Sequence, residues 1–261
     1  MSTPRAIYET DGPLAFLTFN RPEARNAMTW DMYEALSEAC DRVDSDPAVR
    51  VLILKGAGGK AFVSGTDIGQ FTQFATRDDA LAYERRLDTV FDRLERVTKP
   101  TIAQVQGVAT GGGCVVALAC DMRVCSTDAR FGVPIARTLG NCLSAANLAR
   151  MIDLLGPART KDLLFTGRLV DAIEASSLGL ANRVVDAAGI DREVRALAET
   201  LITHAPLTLL ATKTVVRRIQ EARRIDPSLA DDCIAACYGS EDFREGVAAF
   251  LAKRTPTFTG R

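Results

Sequence analysis

A single histidine, His204, stands in 261 residues, and that scarcity removes several chemistries at once. A His-rich metal site is impossible, and a Ser-His or Cys-His nucleophile pair could draw only on this residue. It lies in Leu201-Ile202-Thr203-His204-Ala205-Pro206, where a helix ends before a proline, so a cap or surface place is expected for it. Cys40, Cys114, Cys120, Cys125, Cys142, Cys233 and Cys237 are odd in number and include no C-x-x-C pair, which argues against disulfides and zinc and for reduced core thiols. No apolar run reaches the ~18 to 20 residues of a bilayer span, and no signal-peptide core follows Met1, so a cytoplasmic protein is expected. Excess charge is missing too: 32 Lys plus Arg against 33 Asp plus Glu leave a formal charge of -1. Such a balance creates no field to gather nucleic acid or an anionic membrane, so an anionic ligand must be held by a local site.

What is present is a large apolar fraction, 47%, enough for a substantial core. Ala6 to Thr10 and Leu14 to Phe19 flank Asp11-Gly12-Pro13, the pattern of a hairpin. Met32, Ala35, Leu36, Ala39 and Val43 recur at helical spacing before the apolar strand Val49 to Leu54. A second long helix carries Leu87, Val90, Phe91, Leu94 and Val97 on one stripe; Tyr83, Glu84 and Arg85 could line a pocket there, although most charges on such a helix face solvent. Thr101 to Gln106 reads as a strand, Cys114 to Ala119 as an apolar helix and Met122 to Ser126 as a strand. This alternation predicts an α/β domain. Ser144 caps a helix that Gly156-Pro157 should stop, and Asp171 to Glu174 has capping-box spacing before the strand Asn182 to Val185. From Ile190 to Arg254 nearly everything reads as helix, broken at Pro206 and near Pro227 and Gly239.

Two glycine clusters invite a phosphate-binding interpretation and fail it. In Gly56-Ala57-Gly58-Gly59-Lys60-Ala61, Ala61 stands where a P-loop needs Ser or Thr, and Gly107, Gly111, Gly112 and Gly113 lack dinucleotide spacing. The triplet Gly111-Gly112-Gly113 does precede an apolar helix, where the absence of Cβ lets a ligand reach free first-turn N–H groups.

The combination is more specific than its parts. Asn20-Arg21-Pro22-Glu23-Ala24-Arg25-Asn26-Ala27-Met28, Ala61-Phe62-Val63-Ser64-Gly65-Thr66-Asp67-Ile68, Lys99-Pro100-Thr101-Ile102-Ala103 and Gln106-Gly107 with Gly111 to Cys114 occur in an order and spacing that resembles the enoyl-CoA hydratase/isomerase, or crotonase, superfamily. The resemblance continues to Asp242 to Phe258 and so spans nearly the whole chain. It implies an α/β fold made of a crotonase-like spiral of ββα turns over residues 1-195, with a helical C-terminal extension over 196-261 used in packing and trimerisation. It also implies homotrimers or dimers of trimers, an acyl-CoA small-molecule substrate, no nucleic-acid or membrane partner, no metal, and no permanently bound cofactor beyond coenzyme A carried in the thioester.

Position by position, the resemblance assigns the oxyanion N–H groups to Thr66 and Gly112. It lays coenzyme A along Glu23, Ala24, Arg25 and Ala27 and along Thr66, Asp67, Ile68 and Gly69, with Phe250 and Lys253 at the nucleotide end. Packing and a solvated charge are the alternative roles for the last two. Asp67 and Asp121 are expected to be mainly structural. The two glutamates that family hydratases use fall here on Val115 and Ile135. Hydration needs a base for water and an acid for the α-carbon, so isomerisation, with one proton shuttle, is easier to reconcile with these residues. Arg137 and Asn141 are candidates for a polar acyl group or a water, against the alternative of a capped loop with a surface Arg. Three functions remain open at this level: an enoyl-CoA hydratase/isomerase with an atypically placed acid/base, a CoA-thioester decarboxylase or thioesterase, and a non-catalytic acyl-CoA-binding member.

Overall fold

The computed structural model describes residues 4–74 and 76–261. Strands β1 (Ala6–Asp11) and β2 (Leu14–Phe19) form the expected antiparallel hairpin. Helix α1 (Trp30–Ser45) follows and buries Met32, Tyr33, Leu36, Ala39, Cys40 and Val43. Strand β3 (Val51–Gly56) begins two residues later than the apolar run suggests, because pairing with β2 starts at Val51 opposite Leu14; Val49 is buried ahead of it.

From there the chain repeats one unit. A strand of a large sheet passes to a short strand of a small sheet, then to a helix. The units are β3, β4 (Ala61–Val63) and α2 (Arg77–Glu95); β5 (Thr101–Val105), β6 (Val108–Thr110) and α3 (Gly112–Ala119); and β7 (Met122–Ser126), β8 (Arg130–Gly132) and α4 (Ile135–Thr138). After α5 (Ala145–Thr166) come β9 (Val170–Asp171), α6 (Ala172–Ser177) and β10 (Arg183–Val185). The large sheet has the order β1-β2-β3-β5-β7-β10 and is parallel beyond the hairpin; the small sheet has the order β4-β6-β8-β9. These are the ββα turns of a spiral.

Alternation along each strand sends side chains to two faces. Leu14, Phe16, Val51, Ile53, Ile102 and Val124 meet Ile190, Val194, Leu197 and Ala198 of α7 (Ile190–Thr203). Ala15, Leu17, Leu52, Leu54 and Ala103 face α1, α2 and α3, where most of the core lies. The division between residues 195 and 196 therefore falls inside a helix packed on the sheet.

Helix α5 departs from expectation. Gly156 breaks it with φ +73, but the chain resumes at Pro157 and stays helical to Thr166. Proline fixes a helical φ and needs no donor at a first turn, so it restarts the helix instead of ending it. The C-terminal helices α8 (Pro206–Glu221), α9 (Asp231–Gly239) and α10 (Glu241–Leu251) are separated near the expected Pro206, Pro227 and Gly239. His204 is exposed at the end of α7, Asp121 accepts from Thr101 and Lys213, and among the described residues no helix is long and apolar enough to cross a membrane.

Candidate active site

Two backbone turns meet at the C-terminal ends of β4 and β6. After β4, Met28 and Thr66 form a parallel bridge in which the Met28 N–H donates to Gly65 O at 2.8 Å and the Asp67 N–H donates to Met28 O at 2.9 Å. In that geometry the bonds run through the neighbours of Thr66, so its own N–H is turned away from Met28. After β6, Gly112 opens α3, and a first-turn N–H has no acceptor inside its helix. The turns abut: a Cβ built on Gly111 would stand 3.5 Å from Gly65 Cα, and one on Gly112 would stand 3.9 Å from Thr66 N. Gly113 lets α3 seat against β4, since a Cβ there would overlap Val63 O.

Hydroxyl groups back this pair. Thr66 Oγ1 lies 2.8 Å from the Tyr33 hydroxyl and accepts from the Tyr83 hydroxyl at 3.0 Å. Burial pushes both phenols well above the ordinary tyrosine range, so both keep their protons. A Cβ on Gly112 would stand 2.8 Å from the Tyr33 oxygen and 3.4 Å from Thr66 Oγ1. The space between the two amides is therefore closed to a side chain of the protein itself.

A cavity of about 160 Å³ leads away from the two turns. Val115 of α3 and Ile135 of α4 both line it, together with Ile68, Leu87, Phe91 and Leu143. One carboxyl breaks this apolar wall. Glu84 of α2 is 4% exposed and is the only acidic side chain among the residues lining the cavity. Its carboxylate accepts a short hydrogen bond from the Tyr238 hydroxyl of α9, which in turn accepts from Asn141 Nδ2 at 3.0 Å. Removal from water raises the Glu84 carboxyl to about 8; Asp88 adds to the rise, while bonds from Tyr238 and the Ser144 N–H oppose it. Burial pushes Cys114 up to about 12 and raises Cys142 as well, so neither supplies a thiolate at neutral pH.

Asn141 therefore lines the cavity, whereas Arg137 is exposed, with its Cβ against Gly167 and away from it. The segment Glu23 to Ala27 is tied to the Thr66 turn: the Ser64 N–H donates to Arg25 O at 3.1 Å, and Arg21 bonds both Ala27 O and Asp67, at 3.1 and 2.6 Å. Asp67 also accepts from the Gly69 N–H at 3.0 Å. Glu23 and Arg25 are exposed beside this turn; Ala24 and Ala27 are half-buried. Phe250 of α10 is half exposed on the cavity rim, and the exposed Lys253 follows at the end of that helix.

Tyr33 and Tyr238 were not legible as site residues, and Glu84 only as one of three on a helix expected to face solvent. The available signal was its position on the stripe Leu87 and Phe91 share, where a carboxyl has no packing role. Arg85, the third, is exposed and pairs with Asp231.

The chain is similar to known proteins over its full length. A family model described as "Enoyl-CoA hydratase/isomerase" matches residues 9–261. A crotonyl-CoA hydratase of Syntrophomonas wolfei is 35% identical over 263 residues, covering 100% of each chain. Among solved structures, an enoyl-CoA hydratase/carnithine racemase from Magnetospirillum magneticum is 34% identical with a TM-score of 0.80, covering 100% of this chain and 97% of that one. A methylmalonyl-CoA decarboxylase in complex with 2-nitronate-propionyl-CoA is 25% identical, with a TM-score of 0.91 and full coverage of both chains.

Proposed function

The chain belongs to the enoyl-CoA hydratase/isomerase family, and from that premise we propose that it processes short enoyl-CoA thioesters by holding the thioester oxygen between the N–H groups of Thr66 and Gly112. The observation that carries this is the apposition of the two turns, with a Cβ position on Gly112 only 3.9 Å from Thr66 N at the mouth of an apolar cavity. Fixed N–H dipoles in a water-poor site stabilise negative charge as it moves onto that oxygen and are worth most when the enolate forms. Coenzyme A then follows Glu23, Ala24, Arg25 and Ala27 and the Thr66 to Gly69 turn, with Phe250 and Lys253 toward its nucleotide end. It enters and leaves with the acyl group, so no permanent cofactor is needed. The assembly is a trimer or a dimer of trimers.

Titration with crotonyl-CoA, while the enoyl absorbance is followed, tests this. Saturable binding and loss of the enoyl signal are expected; a protein that binds no CoA thioester sinks the proposal. Likeness to the decarboxylase structure favours a second reaction on the same oxygen site, loss of CO₂ from a 2-carboxyacyl thioester to give the same enolate. Against it, no Lys or Arg is among the described residues lining the cavity to receive a substrate carboxylate. Release of CO₂ from methylmalonyl-CoA at a rate comparable to crotonyl-CoA turnover would favour this second reaction.

A further inference from the structure

The positions of Val115 and Ile135 leave the cavity wall apolar where an acid and a base are needed, yet a carboxyl does reach the cavity from elsewhere. Glu84 comes from α2, and its carboxylate is held by a chain of donors running from Asn141 Nδ2 to the Tyr238 oxygen and from the Tyr238 O–H to Glu84. Tyrosine has one proton to give. It is spent on Glu84, so the carboxylate has a fixed direction once it ionises.

A second, independent observation lies beside it. Asn141 Oδ1 is buried and has no hydrogen-bond partner among the described residues. A buried amide oxygen left unpaired costs ~1 to 3 kcal/mol, so a donor belongs there. Through Tyr238, this oxygen sits within one side chain of Glu84. A water spanning the two would give one hydrogen to each acceptor.

Resting on the oxyanion assignment above, we propose that Glu84 is the acid/base residue of this site and acts on a water held between its carboxylate and Asn141 Oδ1, so that a single carboxyl hydrates the enoyl thioester. The water oxygen bonds to the β-carbon as its proton passes to Glu84. The π electrons of the α,β double bond move onto the thioester oxygen at Thr66 and Gly112, forming the enolate. Collapse of the enolate then takes the proton from Glu84 onto the α-carbon. One water is consumed, one C–O and one C–H bond form, and Glu84 returns to the carboxylate.

The electrostatics suit a group that must both accept and donate. Among the described residues, the titratable groups facing Glu84 are Tyr33 from α1, Tyr83 and Asp88 on its own helix, Cys142 ahead of α5 and Tyr238 from α9, and none of these is a cation. Burial holds the carboxyl at about 8, close to neutral operating pH.

Two reactions separate the roles. Exchange of the α-hydrogens of butyryl-CoA in heavy water needs the base alone, whereas hydration of crotonyl-CoA needs base and water. Glu84→Gln keeps the shape and the bond from Tyr238; it should still bind crotonyl-CoA within a few-fold and lose ~100-fold or more in both reactions. Asn141→Ala removes both the donor to Tyr238 and the acceptor for the water, so it should lower both reactions and lower hydration ~10-fold or more beyond exchange. Tyr238→Phe removes a bond that lowers the Glu84 carboxyl, so the rising limb of its exchange rate should move above the wild-type midpoint near 8, with KM little changed.

Retention of either activity by Glu84→Gln overturns the assignment of the residue. Full hydration by Asn141→Ala, or a wild type that exchanges but does not hydrate, overturns the water site. A wild-type exchange rate flat from about pH 6 to 9 overturns the base without any variant. If the wild type binds no CoA thioester, the oxyanion assignment fails first; binding with neither reaction removes only Glu84.

Discussion

At position 112 glycine is required by space and not by backbone conformation. Any Cβ would stand 2.8 Å from the Tyr33 oxygen and occupy the gap between two amides. Gly112→Ala should therefore displace the buried Tyr33 hydroxyl and lower crotonyl-CoA turnover ~100- to 1,000-fold, the usual effect of disabling one oxyanion donor; steady-state kinetics beside a melting curve would check it. Glu84 makes a different demand on the same pocket. Its carboxyl is raised from the ordinary 4.5 to about 8, so between those pH values the folded state binds more protons than the unfolded one. Stability from this group is full below about 4.5 and is lost as pH rises through 8, at up to ~1.4 kcal/mol per pH unit. Denaturant titrations at pH 5 and pH 8 should show wild type losing stability relative to Glu84→Gln as pH rises. The two turns proposed to hold the thioester oxygen were legible as local motifs, each within a few residues of sequence. Glu84 was legible only as one of three pocket candidates on α2, because its environment is assembled by Tyr238, which lies 154 residues away.

Elements set the distance between the two turns. Helix α3 can sit against β4 only because Gly113 has no side chain to overlap Val63 O. Gly113→Ala should cost roughly 1 to 3 kcal/mol through overpacking, lowering the melting temperature by about 2 to 4 °C for each kcal/mol. It should also weaken crotonyl-CoA binding, because the shift separates Gly112 from Thr66. Calorimetry and a binding titration on the same variant test both effects, and loss of stability with unchanged affinity would detach the helix position from the site. Periodicity predicted α2 and α3 well, since an apolar stripe has little else to do. It left open which polar residues on α2 turn inward: Tyr83 and Glu84 share the buried face with Leu87, whereas Arg85 projects to Asp231. The restart of α5 at Pro157 was hidden for a related reason, because the same Gly-Pro pair can end a helix or join two.

For the whole molecule, the informative surface is α8. None of its residues is buried, and Leu207 is 77% exposed, with Val215, Val216 and Ile219 near half. Polar links hold the helix to the body, Lys213 to Asp121 at 2.7 Å and the Arg96–Glu221 pair, also at 2.7 Å. Those contacts fix the orientation of the helix without covering its apolar residues. Contiguous apolar surface of this kind marks contact with another chain, and copies of one chain associate by closed symmetry. The trimer or dimer of trimers proposed above predicts three or six copies per particle by sedimentation, with α8 at the contact. Ile219→Glu places a charge on a face of α8 that is about half exposed and should shift the particle toward the monomer while leaving the monomer's helical signal largely unchanged. Val216→Glu should act in the same direction. A wild type that sediments as a monomer, or an Ile219→Glu protein with an unaltered particle mass, would remove α8 from the assembly surface.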